Sequence, residues 1–348
     1  MLPHTFVLLV LLVLVACAFL LTAIPIWDTN ARPMTAFDSD PITRIGYPGY
    51  LVIGAVLNGC GALCQQNSGV MTKSKFFPER TVPVDCDGIF SDTVFQIGGH
   101  GLTKAPRSIP TEWVNEFTLN GESVVSEYYL DQHYVGGTAR TAVWTNELVN
   151  RMIDQAKRRL LPGTYGITDT NALLDALDHA KGIQGGRVLV IGSENPWVEA
   201  CVLAKGASSV TTLEYGAIKS EHPRITTMLP KEFRRRWSEL RRFDAVVTYS
   251  SVEHSGLGRY GDALNPWGDV LEIARARCVS KPGASLTIAV PFGEDAIAFN
   301  AHRVYGKNRY PYLASNWRQI WRQPQEVFQK IHVFEAQPVE NVRINMTI

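Results

Sequence analysis

Four continuous apolar segments constrain this chain more than any other feature. They are RVLVIG (187–192), SVTTLE (209–214), FDAVVTY (243–249) and ASLTIAVP (284–291). Helical stretches such as WVEACVLAKG and DVLEIARARCV lie between them. A strand that is apolar along its whole length is covered on both faces, and strands alternating with helices give a parallel sheet. The predicted fold is therefore α/β, a Rossmann-like, doubly wound and mostly parallel sheet. Two helices precede it, ELVNRMIDQAKRRLL and Thr170–Lys181, stopped by Pro162-Gly163 and Gly182. IHVFEA and VRINMTI are read as further strands at a sheet edge.

The organisation has three parts. Phe6–Ile26 is 21 residues without a charge. At about 1.5 Å per residue it just crosses a hydrocarbon core about 30 Å thick. Residues 1–27 are thus expected to be a transmembrane anchor or a signal, with residues 6–26 in the lipid bilayer and the rest in the secretory pathway. Residues 28–145 are rich in Gly, Pro and Asn and read as an irregular accessory region. Within it, Asn120-Gly121 suits a hairpin, while Pro110 before TEWVNEF suits a short helix ended by Gly121. Residues 146–348 form the Rossmann-like domain.

Composition excludes some functions. The net charge is +1 over 348 residues, so no basic field points to nucleic acid. KEFRRRWSELRR (231–242) is basic, but Glu232 and Glu239 interrupt it at the spacing of a solvated helix face. Cys60, Cys64 and Cys86 are too few for a closed zinc site, and no metal site is expected. Cys201 and Cys278 read as small apolar filler on core helices. Trp317 and Trp321, at i and i+4, read as one apolar helix face.

The candidate site lies at the carboxyl ends of the strands, where doubly wound sheets bind ligands. In VLVIGSENPWVEA, Gly192 admits close approach of a ligand. Asn195 caps the helix that Pro196 opens, leaving a helix N-terminus for a carboxylate or phosphate. Glu194 in that turn would repel a pyrophosphate and suit a cationic group. Glu214 ends the second strand, with Tyr215 beside it, placed to accept from ribose hydroxyls. Ser250, Glu253 and His254 follow the third apolar segment. His254 is a candidate general base with a pKa near neutrality, and Glu253 orients it or a substrate. Arg259 and Asp262 can pair with each other. His302 and Arg303 return over the same face, and Arg303 can grip a carboxylate or phosphate.

FDAVVTYSSVEHSGLGRYGD (243–262) resembles the fourth-strand region of class I S-adenosylmethionine-dependent methyltransferases. Together with VPFGEDAIAFNAHRVYGKNRYP (290–311) it more narrowly resembles the domain of unknown function 268 family, over roughly residues 145–330. The resemblance implies a methyltransferase-like fold and S-adenosylmethionine as cofactor. Glu214 and the Glu253-His254 pair match the larger family's pattern. Val190 stands where it has an acidic residue, and Glu194 and Pro196 stand where it has glycines. The resemblance thus implies a ribose half that is kept and a methionine half that is either rebuilt or lost.

The leading expectation is a membrane-anchored methyltransferase-like protein acting on a small molecule or glycan. A second is a non-catalytic binding or scaffold protein on a degenerate methyltransferase fold. A third is a lumenal glycosyltransferase with a metal at Asp38-Ser39-Asp40 or Asp85-Cys86-Asp87.

Overall fold

The computed structural model describes residues 86–91, 106–131, 141–240, 242–262, 264–324 and 329–337. Phe6–Ile26, Cys60, Cys64, Asp38, Asp40, Asp85 and VRINMTI lie outside them. Among the described residues no helix is long and apolar enough to cross a membrane.

In chain order the elements are α1 (Cys86–Ser91), α2 (Val114–Thr118), β1 (Val124–Tyr128), β2 (Ala142–Trp144), α3 (Asn146–Lys157) and α4 (Ile167–Asp178). Then come β3 (Arg187–Ile191), α5 (Trp197–Ala204), β4 (Ser209–Leu213), β5 (Ile218–Ser220), β6 (Ile225–Met228), α6 (Pro230–Arg236) and β7 (Phe243–Tyr249). The chain continues with α7 (Gly268–Cys278), β8 (Ser280–Pro291), β9 (Ala296–Asn300), β10 (His302–Val304), α8 (Tyr310–Leu313), β11 (Trp317–Arg322) and β12 (Gln329–Ala336).

The main sheet has the order β11-β12-β8-β7-β3-β4-β6. Pairing is parallel from β8 through β6. Only β12 runs antiparallel to its two neighbours. The α/β class and the mostly parallel sheet are as expected from the four apolar segments. Alternation within β3 shows why these strands read as continuous runs. Val188 and Val190 face one core, with Val149 of α3, Leu173 of α4 and Val198 of α5. Leu189 and Ile191 face the other, with Phe233 of α6 and Ile273 of α7. Both faces are covered, so no polar residue interrupts the strand. α3 starts where Thr145 Oγ1 accepts from Leu148 N–H at 3.1 Å, a side-chain cap.

Three expectations are corrected here. IHVFEA does form a strand, but β12 sits inside the sheet between β8 and β11. Trp317 and Trp321 lie on strand β11 rather than on a helix. An i, i+4 spacing suits a helix face and a regular strand alike, so it could not choose; here a bulge between Gln319 and Trp321 sends Trp317 into one core and Trp321 against the other. Cys278 is not filler, because it is joined to Cys86 in a disulfide. Cys201 is buried and free.

The described parts of the region before residue 146 are built into this α/β unit. Asn115–Gly121 takes the short-helix alternative: α2 ends on Leu119 in the left-handed conformation. β1 pairs in parallel with β9, which pairs with β10. β2 pairs with β5. Trp113 and Phe117 pack with Leu257, Leu264, Ile297 and Phe299 in a third apolar cluster. α1 is held by Phe90, stacked on Trp237 at 4.7 Å, and by the disulfide.

The disulfide closes a sequence separation of 192 residues. Chain-entropy reasoning gives about 5 kcal/mol for a loop of that length, and removal of such bonds commonly costs about 2–5 kcal/mol. Cys86→Ser should therefore lower the guanidinium unfolding free energy of the full-length protein by a few kcal/mol. Dithiothreitol should lower the wild type to the same level and leave the variant unchanged. A wild type indifferent to reductant would contradict the pairing.

Candidate functional site

Strand order reverses between β3 and β7, since the chain moves outward from β3 first through β4 and later through β7. The turns leaving these strands open a cleft, and a gap at this point is the usual ligand site of a doubly wound sheet. The cleft holds about 430 Å³, within the range of about 300–1,000 Å³ common for small-molecule sites.

Gly192 forms the first wall, with φ +74°. A Cβ there would lie 1.8 Å from Ser251 Oγ and 2.3 Å from Ser251 Cβ. The glycine was expected to admit a ligand. On its Cβ side it instead admits the neighbouring loop, so any side chain would push that loop away. Ser193 N–H donates to Glu214 Oε2 at 2.7 Å. Ser193 Oγ lies 2.7 Å from the Asn195 carbonyl and 2.8 Å from Glu199 Oε2. Asn195 does not cap α5: Pro196 occupies the cap position, with no side-chain cap bond, and Trp197 begins the helix. Trp197 N–H takes the Asn195 carbonyl instead. Glu194 and Asn195 are exposed.

Glu199 had no sequence signal, because it sits within an otherwise apolar helix. Its carboxylate is fully buried and accepts from Thr212 Oγ1 at 2.7 Å. Burial pushes its pKa up to about 7 against the pull of its hydrogen bonds.

Glu214 lines the cleft as expected. It also accepts from Ser193, Tyr215 and Gly216 N–H, at 2.7, 2.7 and 3.5 Å. A carboxylate has about four acceptor positions, so capacity remains for a ligand hydroxyl. Burial raises its pKa, and the Glu194 charge adds to that. Tyr215 stacks on Tyr260 at 6.2 Å, and Arg259 lies 4.9 Å over the Tyr260 ring.

The loop after β7 supplies the floor. Ser250 adopts φ +48°, an uncommon conformation for a residue with a side chain. Its Oγ donates to Glu253 Oε1 at 2.7 Å and accepts from Gln329 Nε2 at 3.0 Å. Glu253 is fully buried, and its Oε2 has no hydrogen-bond partner. Burial pushes its pKa up to about 7. His254 Nδ1 lies 2.6 Å from the Ala301 carbonyl. A carbonyl only accepts, so Nδ1 carries the proton and Nε2 keeps its lone pair. The expected near-neutral base is corrected: burial, Arg259 and His302 push His254 down to about 3. Of the Glu253-His254 pair, Glu253 is the group that titrates near neutrality.

Arg303 is not placed to grip a substrate. It is fully buried, and its guanidinium donates to the Ser255 carbonyl at 2.5 Å and the Asn265 carbonyl at 3.2 Å. Its Nε lies 3.8 Å from Asp269. Arg309 donates to both Asp269 oxygens at 2.9 and 2.8 Å, and Tyr305 Oη to one of them at 2.9 Å. These cations hold Asp269 down to about 2. Asp262 does not pair with Arg259. It accepts from Gly256, Gly258 and Tyr260 N–H at 2.7, 3.3 and 3.2 Å, and so shapes the loop from within.

The structure thus brings Gly192, Glu194, Asn195, Glu214, Tyr215, Ser250 and His254 to one cleft. Glu253 sits behind Ser250. His302 is half-buried, its ring 6.5 Å from that of His254. Arg303 serves the loop. Sequence reasoning missed Tyr165, Trp197 and Tyr249, which form one end of the cleft. Tyr165 follows Pro162-Gly163 directly, and a turn ahead of a helix was the available signal. Among the described residues no group of His, Cys, Asp and Glu could hold a metal.

The raised pKa of Glu199 has a signed consequence. Below about pH 4.5 the group is protonated in both states. As pH rises toward 7, the unfolded chain releases a proton that the folded chain keeps, and the folded state loses stability. Glu199→Gln removes this loss. The variant's unfolding free energy relative to wild type should therefore climb between pH 4.5 and 7, by about 3 kcal/mol at most, and then level. Denaturant titrations across that range check it, and a pH-independent difference would refute it.

No curated protein matches the sequence. Solved structures similar to it include the N-methyltransferase NodS from Bradyrhizobium japonicum WM9, at 15% identity and TM-score 0.33, covering 49% of this chain and 95% of that one. The PH0226 protein from Pyrococcus horikoshii OT3 is similar at 11% identity and TM-score 0.36, covering 49% and 90%. TehB from Haemophilus influenzae is similar at 12% identity and TM-score 0.33, covering 48% and 62%. All three scores are below 0.5, and the fold is established by its own strand order instead. Residues 185–343, which carry the main sheet from β3 onward, the loop after β7 and the buried arginines, match the family described as Caenorhabditis protein of unknown function, DUF268.

Proposed function

We propose that this protein is an S-adenosylmethionine-dependent methyltransferase acting on a small molecule or glycan. The observation that carries the reading is the acidic cleft at the point where strand order reverses. Glu214 keeps acceptor capacity toward it, Glu194 is exposed on its rim and Glu253 stands behind its floor. Three carboxyl groups around one cleft disfavour a phosphate and favour a cation. The ribose side fits the cofactor through Glu214, with Tyr215 beside it. The methionine side fits through Glu194, in a turn whose Ser193 N–H is already engaged.

When bound, the cofactor supplies an electrophilic methyl group. The chain's own residues then manage the acceptor. His254 Nε2 accepts a hydrogen bond from its hydroxyl or amine. Ser250 Oγ takes the acceptor's proton as it passes its own to the Glu253 carboxylate, whose pKa of about 7 suits a base at neutral pH.

The non-catalytic reading has one observation in its favour: Ser251 fills the space beside Gly192 that a ligand would use. As for location, the uncharged run Phe6–Ile26 supports a membrane anchor. The Cys86–Cys278 disulfide supports placement of the folded domain on the oxidising, lumenal side.

Calorimetric titration of the full-length protein with S-adenosylhomocysteine tests the reading. Micromolar binding is expected. Glu214→Ala should weaken it about 30-fold, the loss of roughly 2 kcal/mol from one hydrogen bond to a charged acceptor, while the protein still melts cooperatively. No binding by the folded wild type would hand the lead to the non-catalytic reading.

A further inference from the structure

We propose that Tyr165, Trp197 and Tyr249 form a binding site for an organic ammonium group, and that the cleft acts on a basic amine. The site stands on its own geometry, while the amine's role as methyl acceptor rests on the function proposed above. The three rings come from three different places: the turn before α4, the first residue of α5 and the last residue of β7. Their centroids are 4.8 Å apart for Trp197 and Tyr249, 5.4 Å for Tyr165 and Tyr249, and 6.4 Å for Tyr165 and Trp197. All three line the cleft. Trp197 and Tyr249 are buried, but Tyr165 is 43% exposed, although its ring packs on theirs. An aromatic wall with one open ring has area to offer a ligand.

Electrostatics decides which ligand. Aromatic faces are negative and attract cations, most strongly when water is excluded. Tyr249 Oη donates to Asp169 Oδ1 at 3.1 Å. A phenol that gives its hydrogen to a carboxylate leaves more negative charge in its ring. Glu253 and Asp169 act on Tyr165 as nearby negative charges, against one positive charge, that of Arg259. Glu194 is exposed on the same cleft. Arg259 already lies over Tyr260, so that ring carries a cation of the protein's own. None of the cation–ring contacts among the described residues involves Tyr165, Trp197 or Tyr249. Within the cleft these three rings are therefore open to a ligand's cation.

Choline and its neutral carbon isostere, 3,3-dimethylbutan-1-ol, separate charge from shape. Binding of each to the full-length protein is followed by tryptophan fluorescence and by ligand-observed magnetic resonance. Choline should bind about tenfold more tightly than the isostere. Tyr165→Phe, which keeps the ring, should retain that preference. Tyr165→Leu, which keeps only apolar volume, should reduce it to about twofold or less. Equal binding of the two probes, no binding of choline, or a full preference in Tyr165→Leu would overturn the proposal. A parallel titration with S-adenosylhomocysteine separates the two readings. Homocysteine-cofactor binding without a choline preference removes the ammonium site alone. A choline preference without cofactor binding keeps the site and removes methyl transfer.

Discussion

One buried carboxylate organises the functional half of this molecule. Asp269 opens α7 and meets Arg303 and Arg309 from the far side of the sheet's carboxyl edge, with no solvent exposure at any of the three beyond 1%. Charges in such a place are costly unless every one is answered. They are answered by each other and by loop carbonyls. Arg303 donates to the Ser255 and Asn265 carbonyls, and Arg309 to that of Pro266. The loop from Glu253 to Pro266 is therefore fixed by charge rather than by regular secondary structure. That fixation is what allows Ser250 to hold an unfavourable backbone conformation and Glu253 to stay buried behind it.

The fold was legible because β3, β4, β7 and β8 are packed on both faces and are mostly apolar, their buried polar groups being small hydroxyls such as Thr212, Thr248 and Thr287. Glu214 was legible because a strand end and a fixed spacing locate it without tertiary information. Arg303 was not. An arginine beside a cleft and an arginine under a loop look alike in sequence, and only its burial tells them apart. Asn195 followed the usual rule for caps, yet Pro196 holds that position and the helix begins one residue later. Cys278 lay on a helix face that reads as apolar, with nothing to name its partner 192 residues upstream. Trp317 and Trp321 had a spacing shared by helix and strand.

The cleft itself is built on opposed polarity. Carboxyl groups gather near the turns of β3 and β4 and behind Ser250, and Arg259, lying over Tyr260, stands among them as their counter-charge. His254 is neutral because it is buried and sits among positive neighbours, against the pull of its bond to a backbone carbonyl. Glu253 keeps a proton near neutrality because it is dry. The two adjacent residues thus have their usual titration order inverted by surroundings that no local sequence pattern encodes.

The pairing of β1 with β9 bears on how the chain is made. Val124 finds its partner at Ala296, and Asn300 holds the backbone of Leu130 from 170 residues away. Trp113 and Phe117 likewise bury themselves against residues 257–299. During synthesis these early segments emerge first and have nothing to pair with until the chain is nearly complete. Contacts so distant in sequence form slowly. Until residues near 300 emerge, a growing chain therefore carries an unpaired strand and the uncovered rings of Trp113 and Phe117, the kind of surface that invites misassembly.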